Sequence, residues 1–245
     1  MLMKKTEVTA EQRLREYVAA DVLLAAIEGN YDVWRDAYER LSITDLIWIH
    51  NGLHNFIGDQ ARFSFDQIES IIRYICSDRK YINVVELGCW ECNLAQKLLR
   101  VFDSSCITRY TGYDIDYVAI DIAKRRVNDD RLNTIKCSGW LWEYSLIGDL
   151  FISCHTLEHF NKRQLDWIIG TVRNSGFDYM ILEVPFLRPG ETWYGKNNSH
   201  ILSITIDKFV EIVEYNGFEL LKNSVTSGLS GDHFYDTYLT FWRRK

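Results

Sequence analysis

The spacing of apolar positions changes once along the 245 residues, near Tyr81, and the change divides the chain. Before it the spacing is helical. Residues 11–29 carry Leu14, Val18, Val22, Leu23 and Ala26 on one face and end at Gly29-Asn30. Tyr31 to Phe56 continues with Tyr31, Trp34, Tyr38, Leu41 and Leu46, and Ser64 to Cys76 places Phe65, Ile68, Ile71, Ile72 and Ile75 together. Residues 1–80 therefore read as a helical N-terminal segment, and 81–245 as a domain of another kind. In that domain short β-branched runs occur at Ile82–Leu87, Ile107–Tyr113, Leu132–Cys137, Leu150–Cys154 and Tyr179–Val184. They alternate with helical patterns over 91–103, 116–127 and 161–174, which predicts a mainly parallel sheet covered by helices on both faces. Phe218–Val225 and Phe234–Trp242 follow a helical stretch at Ile206–Asn216 with no helix between them, so they are predicted to pair antiparallel at one edge. The fold class is α/β with seven strands.

Composition narrows the function classes. With 28 basic against 34 acidic residues, no footprint for a phosphate backbone stands out, and nucleic acid is not the expected partner. No apolar run approaches the roughly 20 residues that span a bilayer, and the start lacks a signal-peptide core, so a cytoplasmic protein off the membrane is expected. Cys76, Cys89, Cys92, Cys106, Cys137 and Cys154 lie in or beside apolar runs, the pattern of buried thiols in a reducing compartment rather than of a disulfide framework. Cys89 and Cys92 form a Cys-x-x-Cys pair without the second pair that a structural zinc needs. His50 and His54 would share a helix face, but no carboxylate motif accompanies them, and no metal site is expected.

The chemistry concentrates where strands end. Val84-Val85-Glu86-Leu87-Gly88-Cys89-Trp90-Glu91-Cys92 closes the first strand with a glycine turn, and Tyr113-Asp114 closes the second. A carboxylate at that second position can accept hydrogen bonds from both hydroxyls of a ribose. The fourth run and its turn, Asp149 through Phe160, contain Ser153-Cys154-His155-Thr156-Leu157-Glu158-His159, and Leu182-Glu183-Val184-Pro185 closes the fifth. In order and spacing these segments resemble the class I S-adenosylmethionine (SAM)-dependent methyltransferases, and the likeness runs from Val84 to Phe218. It implies a Rossmann-like seven-stranded sheet with an antiparallel final pair, SAM as cofactor and a small-molecule methyl acceptor. Trp90 and Cys92 depart from the family, which has glycine at both positions. The resemblance places cofactor contacts at Glu86, Gly88, Cys89, Trp90, Asp114, Ile115 and Cys154. After the third strand it places them at Ser138, Gly139 and Trp140, where an acidic side chain usual in the family is missing and Trp140 or Trp142 can stack on a base.

Because a sulfonium methyl is already activated, the protein's part is to align a nucleophile and to remove its proton. Histidine titrates in the right range for that base. His155, at the end of the fourth strand, is the first candidate, with Glu183 and His200 as alternatives flanking the long loop 185–199 and His159 as a structural residue. An acceptor hydroxyl, such as that of a sugar, is the expected target. The segment 1–80 is expected to cover the acceptor side or to form a homodimer contact. Two rival readings stand beside this one: a SAM-binding regulatory protein without methyl transfer, and a protein methyltransferase.

Overall fold

The computed structural model describes residues 64–136, 146–187, 202, 204–230 and 233–245. The β-branched runs form seven strands: β1 (Ile82–Leu87), β2 (Ile107–Asp114), β3 (Leu132–Lys136), β4 (Leu150–Cys154), β5 (Tyr179–Leu187), β6 (Phe218–Ser230) and β7 (His233–Arg244). They join in the order β3-β2-β1-β4-β5-β7-β6. Pairs from β3 through β5 are parallel, and β7 runs antiparallel to both β5 and β6. The sheet is thus mixed: β7 is inserted beside β5, and β6 forms the edge. Strand order reverses between β1 and β4, the place where open α/β sheets leave a crevice at the carboxyl ends of their strands.

Each face of the sheet has its own core. Alternate residues Val84, Leu150, Ile152 and Ile181 face helices α1 (Phe65–Asp78), α2 (Asn93–Val101) and α3 (Tyr117–Arg126). Val85, Phe151, Leu182 and Val184 point the other way, toward α4 (Lys162–Asn174) and α5 (Ile206–Tyr215). In α1 the predicted stripe Ile68, Ile71, Ile72 and Ile75 is buried, and each such side chain contributes about 1.5–3 kcal/mol on leaving water. Side-chain caps fix the helix starts. Asp116 accepts the Val118 and Ala119 amides ahead of α3, and Asn161 with Gln164 makes a reciprocal capping box at α4.

The amino ends of the central strands are closed by ion pairs. Arg79 reaches Asp149 at 3.2 Å and Asp178 at 2.5 Å, and Arg244 meets Asp178 at 2.7 Å. The Asn83 amide and side chain both donate to Asp149, which ties β1 to the start of β4. Arg131 pairs with Asp129 at 2.6 Å and donates to the carbonyls of Phe102 and Ile107, fastening β3 under α2.

One expectation fails here. Cys76 and Cys106 are joined in a disulfide, their Cα atoms 5.8 Å apart, so the cysteines are not all free thiols. The topology brings the last turn of α1 against the residue before β2, a proximity that a sequence separation of 30 conceals. Cys89, Cys92 and Cys154 are free and buried. Among the described residues no helix is long and apolar enough to cross a membrane. His50 and His54 lie outside the described residues.

Candidate active site

The turn after β1 takes a left-handed backbone at Gly88 and at two positions that are not glycine. Gly88 has φ +76°, and a Cβ there would lie 1.9 Å from the Thr156 hydroxyl, so the turns after β1 and β4 touch at this point. Trp90 (φ 44°) and Cys92 (φ 56°) occupy the left-handed region although both carry a Cβ, a conformation that costs about 1 kcal/mol or more for such residues. The path is held by hydrogen bonds. The Gly88 and Cys89 amides donate to the Tyr113 carbonyl at 2.8 and 3.1 Å, and the Trp90 amide donates to Asp114 Oδ2 at 2.7 Å. Trp90 and Cys92 thus hold left-handed backbone within a turn fastened by the Tyr113 carbonyl and Asp114.

Asp114 links this turn to the one after β2, because its Oδ1 accepts the Asp116 amide at 2.8 Å. Burial pushes its carboxyl up to about 6, against the opposing pull of backbone amides that include those of Trp90 and Ile115. Glu86 lies beneath, 2% exposed, and its Oε2 accepts the Tyr110 hydroxyl at 2.8 Å. Burial raises Glu86 to about 8, moderated by the Tyr110 bond and reinforced by the charge of Asp114. The neighbouring Cys89 thiol is raised well above its ordinary value by burial, which leaves it a poor nucleophile.

Across the switch point, β4 ends at buried Cys154, whose thiol is likewise raised by burial and by the charge of Glu183. His155 follows with φ 50°, a third left-handed residue at the carboxyl ends. Its amide donates to the Glu183 carbonyl at 2.8 Å, and its Nδ1 stands 4.0 Å from Glu158 Oε1. The side chain is about a quarter exposed, and burial lowers its pKa while the charge of Glu183 partly opposes the shift, so the imidazole is neutral at pH 7. Glu158 is raised to about 8 by burial and by Glu183. Glu183 is buried on β5 and accepts the Ser64 hydroxyl at 2.7 Å on Oε1.

The predicted residues Glu86, Gly88, Cys89, Trp90, Asp114, Ile115, Cys154, His155 and Glu183 thus gather at the carboxyl ends of β1, β2, β4 and β5. Ser138, Gly139, Trp140 and His200 lie outside the described residues. Sequence reading did not single out Ser64, Tyr110, Thr156 or Glu158. Tyr110 and Glu86 share a face through strand alternation and could have been paired on that ground. The Ser64 contact, 119 residues from its partner, left no local signal.

No family model and no curated protein matches the sequence. Solved structures do resemble it. The N-methyltransferase NodS from Bradyrhizobium japonicum WM9, in complex with S-adenosyl-L-homocysteine (SAH), superposes with TM-score 0.56 at 15% identity, covering 80% of this chain and 97% of NodS. Magnesium protoporphyrin IX methyltransferase (ChlM) from Synechocystis PCC 6803 with bound SAM gives 0.55 at 14%, covering 88% of this chain and 97% of ChlM. The [4+2]-cyclase SpnF gives 0.56 at 12%, covering 73% of this chain and 80% of its own. The chain carries the fold of the class I SAM-dependent methyltransferases.

Proposed function

We propose that this chain is a SAM-dependent methyltransferase acting on a hydroxyl of a small molecule, a sugar being the acceptor that the sequence likeness suggests. The observation that carries the reading is the facing of two sets of groups across the switch point. Asp114 and the Gly88–Cys92 turn lie on one side, and a neutral His155 lies on the other. The residues fit the cofactor. Asp114 offers acceptors to ribose hydroxyls, and buried Glu86 and half-buried Asp114 are carboxyl groups that removal from water holds above their usual range, an environment that suits a cationic ligand. When bound, SAM provides an activated methyl group. Glu86, Gly88 and Trp90 then form the floor and rim of its site, and Asp114 orients it.

The acceptor's proton falls to His155. Only a neutral imidazole can take it, and burial keeps His155 neutral. The left-handed backbone at His155 breaks the alternation of β4 and sets its ring at the strand end. The methyltransferase unit of this reading comprises 81–245 with α1 packed on its sheet. For the residues ahead of α1 the reading keeps the role of acceptor cover or dimer contact.

Calorimetric titration with SAM and SAH, followed by an acceptor screen that measures SAH release, tests the proposal. Binding in the micromolar range with turnover of hydroxylated acceptors is expected, and no heat of binding at millimolar SAH would sink it. A cofactor-binding protein without methyl transfer is the second reading, favoured by the side chains at Trp90 and Cys92 and by the cyclase that shares the fold. Tight SAH binding with no turnover across the screen would select it.

A further inference from the structure

We propose that Glu183, presented by Ser64, is an acceptor-recognition residue that takes a second hydrogen-bond donor of the acceptor beside the hydroxyl facing His155, which makes the acceptor a polyhydroxylated molecule rather than a simple alcohol. The inference rests on the methyltransferase reading above. Its physical basis is an incomplete set of bonds. Glu183 is 1% exposed, and its Oε1 takes the Ser64 hydroxyl at 2.7 Å and the Ser64 amide at 3.3 Å. Its Oε2 is equally buried and has no hydrogen-bond partner among the described residues. No Lys or Arg among them pairs with this carboxylate either, in contrast to the carboxylates at the amino ends of the same strands. A buried carboxylate oxygen without a donor is costly, and such sites are kept where a ligand completes them.

Position supports the same role. Glu183 pairs in register with Cys154, so it stands one strand, about 4.8 Å, from the end of β4 where His155 sits. The His155 amide is bonded to the Glu183 carbonyl, which fixes the two residues relative to each other. The Glu183 charge is felt at both His155 and Glu158, as a carboxylate bordering the same space must be. Hydroxyls one or two carbons apart can bridge that separation, one donating to His155 and the next to Glu183 Oε2. Ser64 is the positioning residue: its two donors hold one oxygen and thereby aim the other.

Two measurements test this. The first needs no acceptor. Ligand-free Glu183→Leu should melt at the same temperature as the parent protein or above it, since the carboxylate is kept for a ligand. A drop of several degrees would mean a structural carboxylate and overturn the proposal. The second compares myo-inositol and methyl α-glucoside with cyclohexanol as acceptors, by SAH release. The polyols should show at least tenfold higher kcat/KM. Glu183→Gln should raise their KM at least tenfold, Ser64→Ala by less, and Ser64→Thr should restore it. SAH affinity should stay within a few-fold throughout. Equal use of cyclohexanol, an unchanged KM in Glu183→Gln, or SAH binding with no polyol turned over would each overturn the inference. Loss of SAH binding in the parent protein would instead strike the methyltransferase reading itself.

Discussion

The two ends of the same strands treat acidic residues in opposite ways. At the amino ends Asp149 and Asp178 share Arg79, Arg244 closes on Asp178, and Arg131 holds the Asp129 carboxyl below its ordinary range. At the carboxyl ends Glu86 and Glu158 are buried and Asp114 is half-buried, and removal from water pushes all three upward. Pairing makes the first set a fastener for the sheet. The second set costs desolvation energy, which in the proposed reading a ligand offsets by bringing donors or positive charge. On that reading stability and function lie at opposite ends of one sheet.

The largest effect should come from the base. His155→Ala should reduce turnover roughly 10²–10⁴-fold with SAM affinity nearly unchanged. In the parent protein the rate should rise with pH through an ionisation below the ordinary histidine value, because burial lowers it and the neutral ring is the active form. Near-normal turnover in the mutant would move the base elsewhere. Next in size, Asp114→Ala should weaken SAM by roughly 1.5–3 kcal/mol, since charge-assisted hydrogen bonds to it are lost. Equal affinity by titration would contradict its place at the ribose.

The comparison predicts linkage of opposite sign at the two ends. Glu86 and Glu158, near 8 when folded against about 4.5 when unfolded, hold extra protons in the native state across that window. Their contribution is full below about pH 4.5 and is lost as pH rises toward 8. Glu86→Gln and Glu158→Gln should each therefore raise the ligand-free melting temperature at pH 8, by roughly 1–3 kcal/mol in stability, and change it little at pH 5. A rise of equal size at both pH values would break the argument. Asp129 runs the other way: its contribution is present above its unfolded pKa and is lost as pH falls. The smallest effect is at the paired end. Arg79→Ala should cost about 1 kcal/mol, given its partial exposure, and should leave SAM binding untouched.

The centre of the sheet was legible because β1, β4 and the first part of β5 are buried on both faces and read as nearly continuous apolar runs. The antiparallel part was legible in number and pairing but not in length. β5 runs past Pro185 to Leu187, beyond a residue that marks a strand end in sequence, and β6 runs from Phe218 through Ser224 and Gly228 to Ser230, held by its ladder with β7. At the site, the place of Asp114 at the carboxyl end of the second strand was legible because the apolar run stops there, and its ribose role belongs to the proposed reading. The conformation of Trp90 and Cys92 was not. Their side chains argue against a left-handed backbone, and the hydrogen bonds that enforce it come from Tyr113 and Asp114 on another strand. Ser64 and the Cys76–Cys106 bond escaped for the same reason, since both depend on where the topology carries α1.

Helix α1 has one end in each of these worlds. Ser64 at its start holds Glu183, and Cys76 in its last turn is bonded to Cys106 beside the opposite end of β2. The bond closes a loop with a sequence separation of 30, worth roughly 3–4 kcal/mol in a chain-entropy account. A helix near the margin of a domain is a natural unit of local unfolding, and opening of α1 would take the Ser64 hydroxyl and amide away from Glu183. With the covalent tie intact, the amide protons of α1 should exchange only when the sheet itself opens. After reduction they should exchange through a separate, cheaper opening, which makes the order of the acceptor side a property tuned from the far end of the molecule.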